Sequence, residues 1–357
     1  MFSSGNEWEH LWSTRNCHII KAADPILSPR LSVVVPNFNT APFVIEAIES
    51  ILRQTIVDLE VIVVDDGSTD DSIDRIVALN DHRITLVAQA NRGLAGARNT
   101  GIILARAPLI GFCDSDDVWY ENKAEMQIAV LDCCHEVGLT FSYSEYLTED
   151  GEKTGQFLVT RCNEPSAFDL VARNHIGNGS TPIIRRDAIV IAGLFDESLI
   201  LRDEDIEMWV RILATTPYKA RLIPRVLTGY RIRKGSLSNS FEGVLATQNL
   251  VVENYRSYVH GLTERDICRY RAEGLRIFSR KAFASGQLDC SRTLLLAAIK
   301  QMPTLVLRDI RALGLLALHV IVFPLPAASQ QWVYRVMQRV AAASFFAHRR
   351  LAVRNEI

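Results

Sequence analysis

LSVVVPNFNTAPFVIEAIESILRQTIVDLEVIVVDDGSTD, residues 31–70, decides the architecture of this chain. Its opening LSVVVP is a continuous apolar, β-branched run, the pattern of a strand buried on both faces. Thr40 stands where a side chain can cap a helix opening at APF, with Pro42 in its first turn. Val44, Ile45, Ile48, Ile51 and Leu52 then recur at helical spacing. LEVIVVDDG (59–67) repeats the buried-strand pattern. Strand, helix and strand in this order form the unit of a parallel α/β sheet.

Working outward, the alternation continues. A helix with Ile73, Ile76 and Val77 on one face precedes a strand ITLVAQ (84–89). A helix over 94–105 leads into PLIGFCD (108–114), a strand that ends in acids. Beyond it the spacing predicts a helix over 123–134, and FSYSEYL (141–147) alternates like a half-buried strand. Residues 179–199 read as strand, short helix and turn. DEDIEMWVRIL (203–213) is amphipathic, with Ile206, Trp209, Val210 and Leu213 on one face. Residues 219–233 look extended, and from about Phe241 the pattern is helical.

At 357 residues the chain can hold one large domain plus an accessory segment. Its 48% hydrophobic and 22% charged residues mark it as globular. The net charge of -2 gives no case for binding nucleic acid. Seven cysteines without a CxxC pair argue against a zinc site or a disulfide framework, and for a reducing compartment. Cys133 and Cys134 read as small apolar residues on a packed helix. Residues 1–30 read as a polar lead-in with no signal peptide, so a cytoplasmic location is expected. The tail 300–357 carries a net charge of +6, and 312–328 is apolar but broken by His319, Pro324 and Pro326. Two readings stay open there: peripheral contact with the inner face of a membrane, or a buried helical hairpin with basic surface residues.

Polar clusters follow the apolar strands, where ligands gather in parallel sheets. Asp114-Ser115-Asp116 places two carboxylates on one loop, and Asp117 adds a third. Mg²⁺ and Mn²⁺ favour one or two carboxylates plus phosphate oxygens; the plainer reading is a solvated turn that caps a helix. Asp65-Asp66-Gly67-Ser68-Thr69-Asp70 suits hydrogen bonds to a base or ribose, or a turn in which Ser68 or Asp70 caps the next helix. NRGLAGARN (91–99) enters a helix with amides and arginines that could face phosphate or ribose. Its plainer reading is a loop with close helix packing at Gly96, and the absence of GxGxxG counts against a dinucleotide-binding enzyme. Asp203 reads as compensating a helix dipole, whereas Asp205 lies next to the buried face and suits a general base.

Seven segments share an order and spacing over residues 31–238: VVVPNFN (33–39), VVDDGSTD (63–70), NRGLAGARNTGI (91–102), FCDSDDVW (112–119), GLFDESL (193–199), DEDIEMWVRIL (203–213) and YRIRKGSLS (230–238). Together they resemble family 2 glycosyltransferases with the GT-A fold. The resemblance implies an α/β GT-A domain over 31–240, with a nucleotide-binding half (31–118), an acceptor half (119–240) and a helical region over 241–357. It implies a nucleotide-sugar donor, favouring UDP-sugars, and a carbohydrate or glycolipid acceptor in polysaccharide, O-antigen or glycolipid assembly. A divalent cation (Mn or Mg) is implied at Asp116 and Asp114, next to Ser115. Pro36, Phe38, Asn39, Asp65 and Asp66 would line the nucleotide site, and Arg92, Gly93, Arg98 and Asn99 the loop beside it. Asp205 would be the base of an inverting single displacement, with Glu204 holding the acceptor or the base. Asn178 to Thr181 would sit near the acceptor, and Arg231 to Ser236 would form a basic lid. Phe38 departs from a frequent tyrosine and keeps a stacking face.

Two rivals remain. A sugar nucleotidyltransferase would carry an early Gly-rich loop with a basic residue, and 33–45 has no Gly, Lys or Arg. A non-catalytic nucleotide-sugar-binding module has no need of acids at both the metal and base positions.

Overall fold

The computed structural model describes residues 16–22, 28–200, 202–233, 243–304, 310–322 and 329. In chain order these form β1 (Cys17–Lys21), β2 (Leu31–Asn37), α1 (Val44–Leu52), β3 (Leu59–Asp65), α2 (Ser72–Ala78), β4 (Ile84–Gln89), α3 (Gly93–Leu104) and β5 (Leu109–Phe112). Then follow β6 (Val118–Trp119), α4 (Lys123–Cys133), β7 (Val137–Leu147), β8 (Lys153–Leu158), α5 (Ala167–Ala172), β9 (Ile183–Arg185), α6 (Arg186–Ala192), α7 (Glu204–Thr215) and β10 (Lys219–Arg231). The helices α8 (Val244–Tyr258), α9 (Glu264–Ala284), α10 (Leu288–Gln301) and α11 (Ile310–Val322) complete the described chain. It divides into two compact units, residues 1–167 with 175–232 and residues 168–174 with 233–357.

The first unit is built on a mixed, 10-stranded sheet in the order β1-β4-β3-β2-β5-β9-β7-β10-β6, with β8 on β7. The strands β4, β3, β2 and β5 run parallel, as their apolar runs predict. Every residue of β2 and β3 is buried, because helices cover both faces. Val33 and Val35 pack under Val44, Ala47, Ile48 and Ile51 of α1. On the other face α3 comes so close that a Cβ on Gly101 would lie 2.3 Å from Val34 Cγ1. The tight packing expected at Gly96 therefore belongs to Gly101, five residues further along; a Cβ on Gly96 would strike Arg92 instead.

Several expectations give way. Residues 17–21, read as part of the lead-in, add strand β1 antiparallel to β4. The sheet is mostly parallel, as the GT-A resemblance implies, with β9 antiparallel between β5 and β7. β7 is buried along almost its whole length, since β10, β9 and β8 all pair with it. Val77 on α2 faces solvent while Ile76 faces the core. Cys133 is exposed at the end of α4, with its Sγ 3.3 Å from that of Cys134.

The second unit is helical. Thr263 and Asp266 form a capping box that starts α9. Its core joins Leu275, Ala282 and Phe283 of α9 to Leu294, Leu295 and Ala298 of α10 and to Ala312 and Leu315 of α11. His319 is buried there, 3.1 Å from Ser291 Oγ, and burial lowers its pKa. The described part of 312–328 thus packs as a helix of this core, while 323–328 and most of the basic tail lie outside the described residues. No helix among the described residues is long and apolar enough to cross a membrane.

Candidate active site

The carboxyl ends of β2, β3 and β5 lie side by side, so the loops after them meet. Asn37 Nδ2 donates to Asp65 Oδ2 at 2.7 Å, and Ser68 N to Asp65 Oδ1 at 3.0 Å. Thr40 makes no cap for α1, which starts at Val44. Its hydroxyl instead donates to Asn37 Oδ1 at 2.5 Å and lies 2.8 Å from Ser115 Oγ. That bond ties the end of β2 to the acidic loop after β5, a role that the helix-cap reading of Thr40 hid.

Asp66 is buried and accepts from Gln89 Nε2 at 2.7 Å and Arg92 N at 2.9 Å. Burial pushes its carboxyl above the ordinary range against these bonds. The 91–93 turn is thereby fastened to β3, and Gly93 opens α3 with φ +75°. Pro36 is buried in β2, whereas Phe38 is 47% exposed beside it. Asn39, with φ +52°, accepts from Thr69 N at 2.8 Å and so clamps the first loop to the second.

Arg98 is the centre of the other half. It is 2% exposed, and its guanidinium donates to Asp114 Oδ1 and to Glu204 Oε1, both at 2.7 Å. The Phe195 ring lies 5.6 Å from it. Burial alone would lower its pKa, but Asp114, Glu204 and Asp205 raise it, so the group stays charged. Arg98 thus joins the loop after β5 to the first turn of α7. Asn99 bonds both ways with the Phe195 backbone, and its Nδ2 also donates to Glu197. Glu197 in turn pairs with Arg92 at 2.7 Å. Hence the 193–199 turn is stitched to both ends of the 91–99 segment.

Asp203 takes the N-cap position of α7 in the left-handed region, φ +63°, without a side-chain cap bond. Glu204 is buried against Arg98, so its carboxylate holds the arginine. Asp205, on the same turn, is pushed up to about 7 by burial and then by Glu204, with Arg98 opposing.

Within the acidic loop the three aspartates differ. Asp117 is buried; it accepts from Ser180 Oγ at 2.6 Å and Arg231 N at 3.0 Å. Asp114 and Asp116 remain partly exposed. Ser180 also accepts from Asp114 N at 2.9 Å, so the 178–181 loop rests directly on the acidic loop. A Cβ on Gly179 would lie 2.5 Å from Arg98. From beneath, the buried Lys123 amine donates to Thr181 O at 2.6 Å, and burial lowers its pKa to about 7. No sequence pattern marks Lys123, because its partner is a backbone carbonyl far along the chain.

Of the expected basic lid, the Arg231 guanidinium is buried and donates to Asp116 O, Glu149 O and Glu46 Oε2, so it ties the end of β10 to the acidic loop and to α1. Residues 234–236 lie outside the described residues.

A mixed, mostly parallel sheet with an acidic loop after β5 and a carboxylate pair opening α7 is the GT-A arrangement, and solved structures agree. The fold resembles that of S. aureus TarS 1-349 in complex with UDP-GlcNAc, with a TM-score of 0.58 and 16% identity over 88% of this chain and 92% of that one. It also resembles the mannosyltransferase PcManGT from Pyrobaculum calidifontis in complex with GDP-Man and Mn²⁺, with a TM-score of 0.51 and 20% identity over 93% and 91% of the two chains. In sequence, residues 32–189 match the pattern of glycosyl transferase family 2. The Escherichia coli UDP-Glc:alpha-D-GlcNAc-diphosphoundecaprenol beta-1,3-glucosyltransferase WfaP is 31% identical over 62% of this chain and 85% of its own length. A second enzyme of that description, WfgD, is 27% identical over 59% and 80%. The chain belongs to glycosyl transferase family 2 and is a glycosyltransferase.

Proposed function

We propose that the chain transfers a sugar from a UDP-sugar to a hydroxyl of a lipid-diphosphate-linked saccharide, by a single inverting displacement with Asp205 as base. One arrangement carries this reading: Asp205 stands on the helix turn that Arg98 joins to the acidic loop, where burial and Glu204 push its carboxyl up to about 7. A base with that proton affinity matches neutral solution. The printed activities of WfaP and WfgD support the UDP donor and the lipid-linked acceptor.

Asp114 and Asp116 suit a divalent cation. Both are partly exposed on one loop, while Asp117 is committed to Ser180 and Arg231. Among the described residues no three His, Cys, Asp or Glu side chains converge to hold an ion alone. These two carboxylates would hold Mg²⁺ or Mn²⁺, ions that favour one or two carboxylate ligands. When bound, the ion would stabilise charge on the departing diphosphate. The protein's own part is distinct. Arg98 holds Asp114 and Glu204 in place, Asp66 fixes the 91–93 turn, and Asp205 takes the proton of the incoming hydroxyl.

By this reading residues 31–118 serve the donor and 119–240 the acceptor. The basic tail 300–357 contacts an anionic membrane face, and its deletion releases the protein from vesicles; equal binding before and after deletion removes that assignment. The enzyme reading is tested with a panel of UDP- and GDP-sugars, with Mn²⁺ and with chelator. UDP release from at least one donor, lost on chelation and restored by Mn²⁺, is expected. No release from any donor defeats the proposal.

A further inference from the structure

Tyr146 on β7 and Tyr230 on β10 are register partners in a ladder without shifts from Ser144↔Thr228 to Leu147↔Arg231. Their ring centroids lie 5.6 Å apart with planes inclined at 52°, and both residues are partly exposed. Residues two apart on a strand share a face, so Ser144 and Thr228 lie on the tyrosines' side. Ser144 Oγ accepts from Asn178 Nδ2 at 3.3 Å. The antiparallel partner of Thr228 is Trp119, whose Nε1 donates to Ser180 O at 3.0 Å. Two independent bonds therefore place the 178–181 loop on the face that carries the tyrosine pair. That loop abuts Arg98, which is bonded to Glu204, the neighbour of Asp205.

We propose that Tyr146 and Tyr230 form the stacking platform for a pyranose ring of the acceptor; this rests on the glycosyl-transfer reading above. The face of a pyranose presents C–H groups, which an aromatic face covers well, while its hydroxyl edge stays in water. Two rings at an open angle cradle such a disc. The platform begins one strand repeat beyond Ser144, roughly 7 Å, a step comparable to a sugar ring. It stands on paired strands, which hold geometry better than loops do. The charged Glu145, between Ser144 and Tyr146 in sequence and bonded to Tyr120 and Lys153, belongs to the opposite face.

The test is saturation-transfer NMR on the full chain with methyl glycosides of glucose, galactose, mannose and N-acetylglucosamine in the presence of UDP. At least one glycoside should bind wild type. Its affinity should fall at least tenfold in Tyr146→Ala and Tyr230→Ala and persist in Tyr230→Trp. Tyr143→Phe, on the opposite face with its hydroxyl on Thr160 O, should bind as wild type does. UDP binding reports whether a variant is folded; if an alanine variant loses it, Tyr146→Leu or Tyr230→Leu decides. Equal glycoside binding in folded platform variants, or none in wild type, overturns the platform. Absence of donor turnover in wild type would instead count against the enzyme reading.

Discussion

At the end of β3, Asp65 and Asp66 accept hydrogen bonds from Asn37, Ser68, Gln89 and Arg92. Around Arg98, by contrast, Asp114 and Glu204 accept from one guanidinium, whose charge also reaches Asp205. The first pair is served by neutral donors, so its carboxylates fix loops in place. The second group has more negative charge than its arginine neutralises. Its proton affinity rises at Asp205, and Asp114 is left beside Asp116 on a loop suited to a cation. Acid clusters that look alike in the sequence differ in their donors: neutral groups serve Asp65 and Asp66, whereas a buried guanidinium links Asp114 to Glu204.

The largest effect should separate the two groups outright. Asp205→Asn should lower the transfer rate by about 10²–10⁴-fold while UDP affinity stays near wild type in calorimetry. If folded Asp65→Asn lost as much turnover, the contrast would fail. Next, Arg98→Met strips buried Glu204 and half-buried Asp114 of their cation and should cost about 3–5 kcal/mol in urea unfolding; an unchanged midpoint would mean that solvent already screens the three acids. Asp65→Asn should cost about 1–3 kcal/mol by leaving one donor of the loop clamp without a match, read as a lower Tm. The smallest effect concerns pH. The raised Asp205 pKa means that the folded chain holds a proton the unfolded chain has lost, between the ordinary aspartate value near 3.8 and about 7. Stability from this group is therefore highest at low pH and declines as pH rises through that window. Asp205→Asn should flatten the slope of Tm against pH there, and an identical slope would place the proton elsewhere. Turnover should run the other way, rising as pH passes about 7.

The parallel core was legible because buried strands and amphipathic helices leave their period in the chain, as in LSVVVP and LEVIVVDDG. Strand β1 was not, since CHIIK is short, mostly exposed and defined only by pairing with β4. The acids of the site were legible as clusters after strands. Their division of labour was not. Asp117 differs from Asp116 only through Ser180 and the Arg231 backbone, and Arg98 meets a glutamate 106 positions away. Thr40 misled because the same hydroxyl chemistry serves a helix cap and a loop-to-loop bond equally well.

The span between Arg98 and Glu204 also bears on how the protein is made. During synthesis the strands β2 to β5 leave the ribosome before α7 does, so Arg98 then has Asp114 within reach but not Glu204. The bridge closes only after the whole intervening segment has been threaded into the sheet, and contacts so distant along the chain form late. A growing or truncated chain that stops short of residue 204 would lack both the bridge and Asp205, and would leave the buried Arg98 with Asp114 alone.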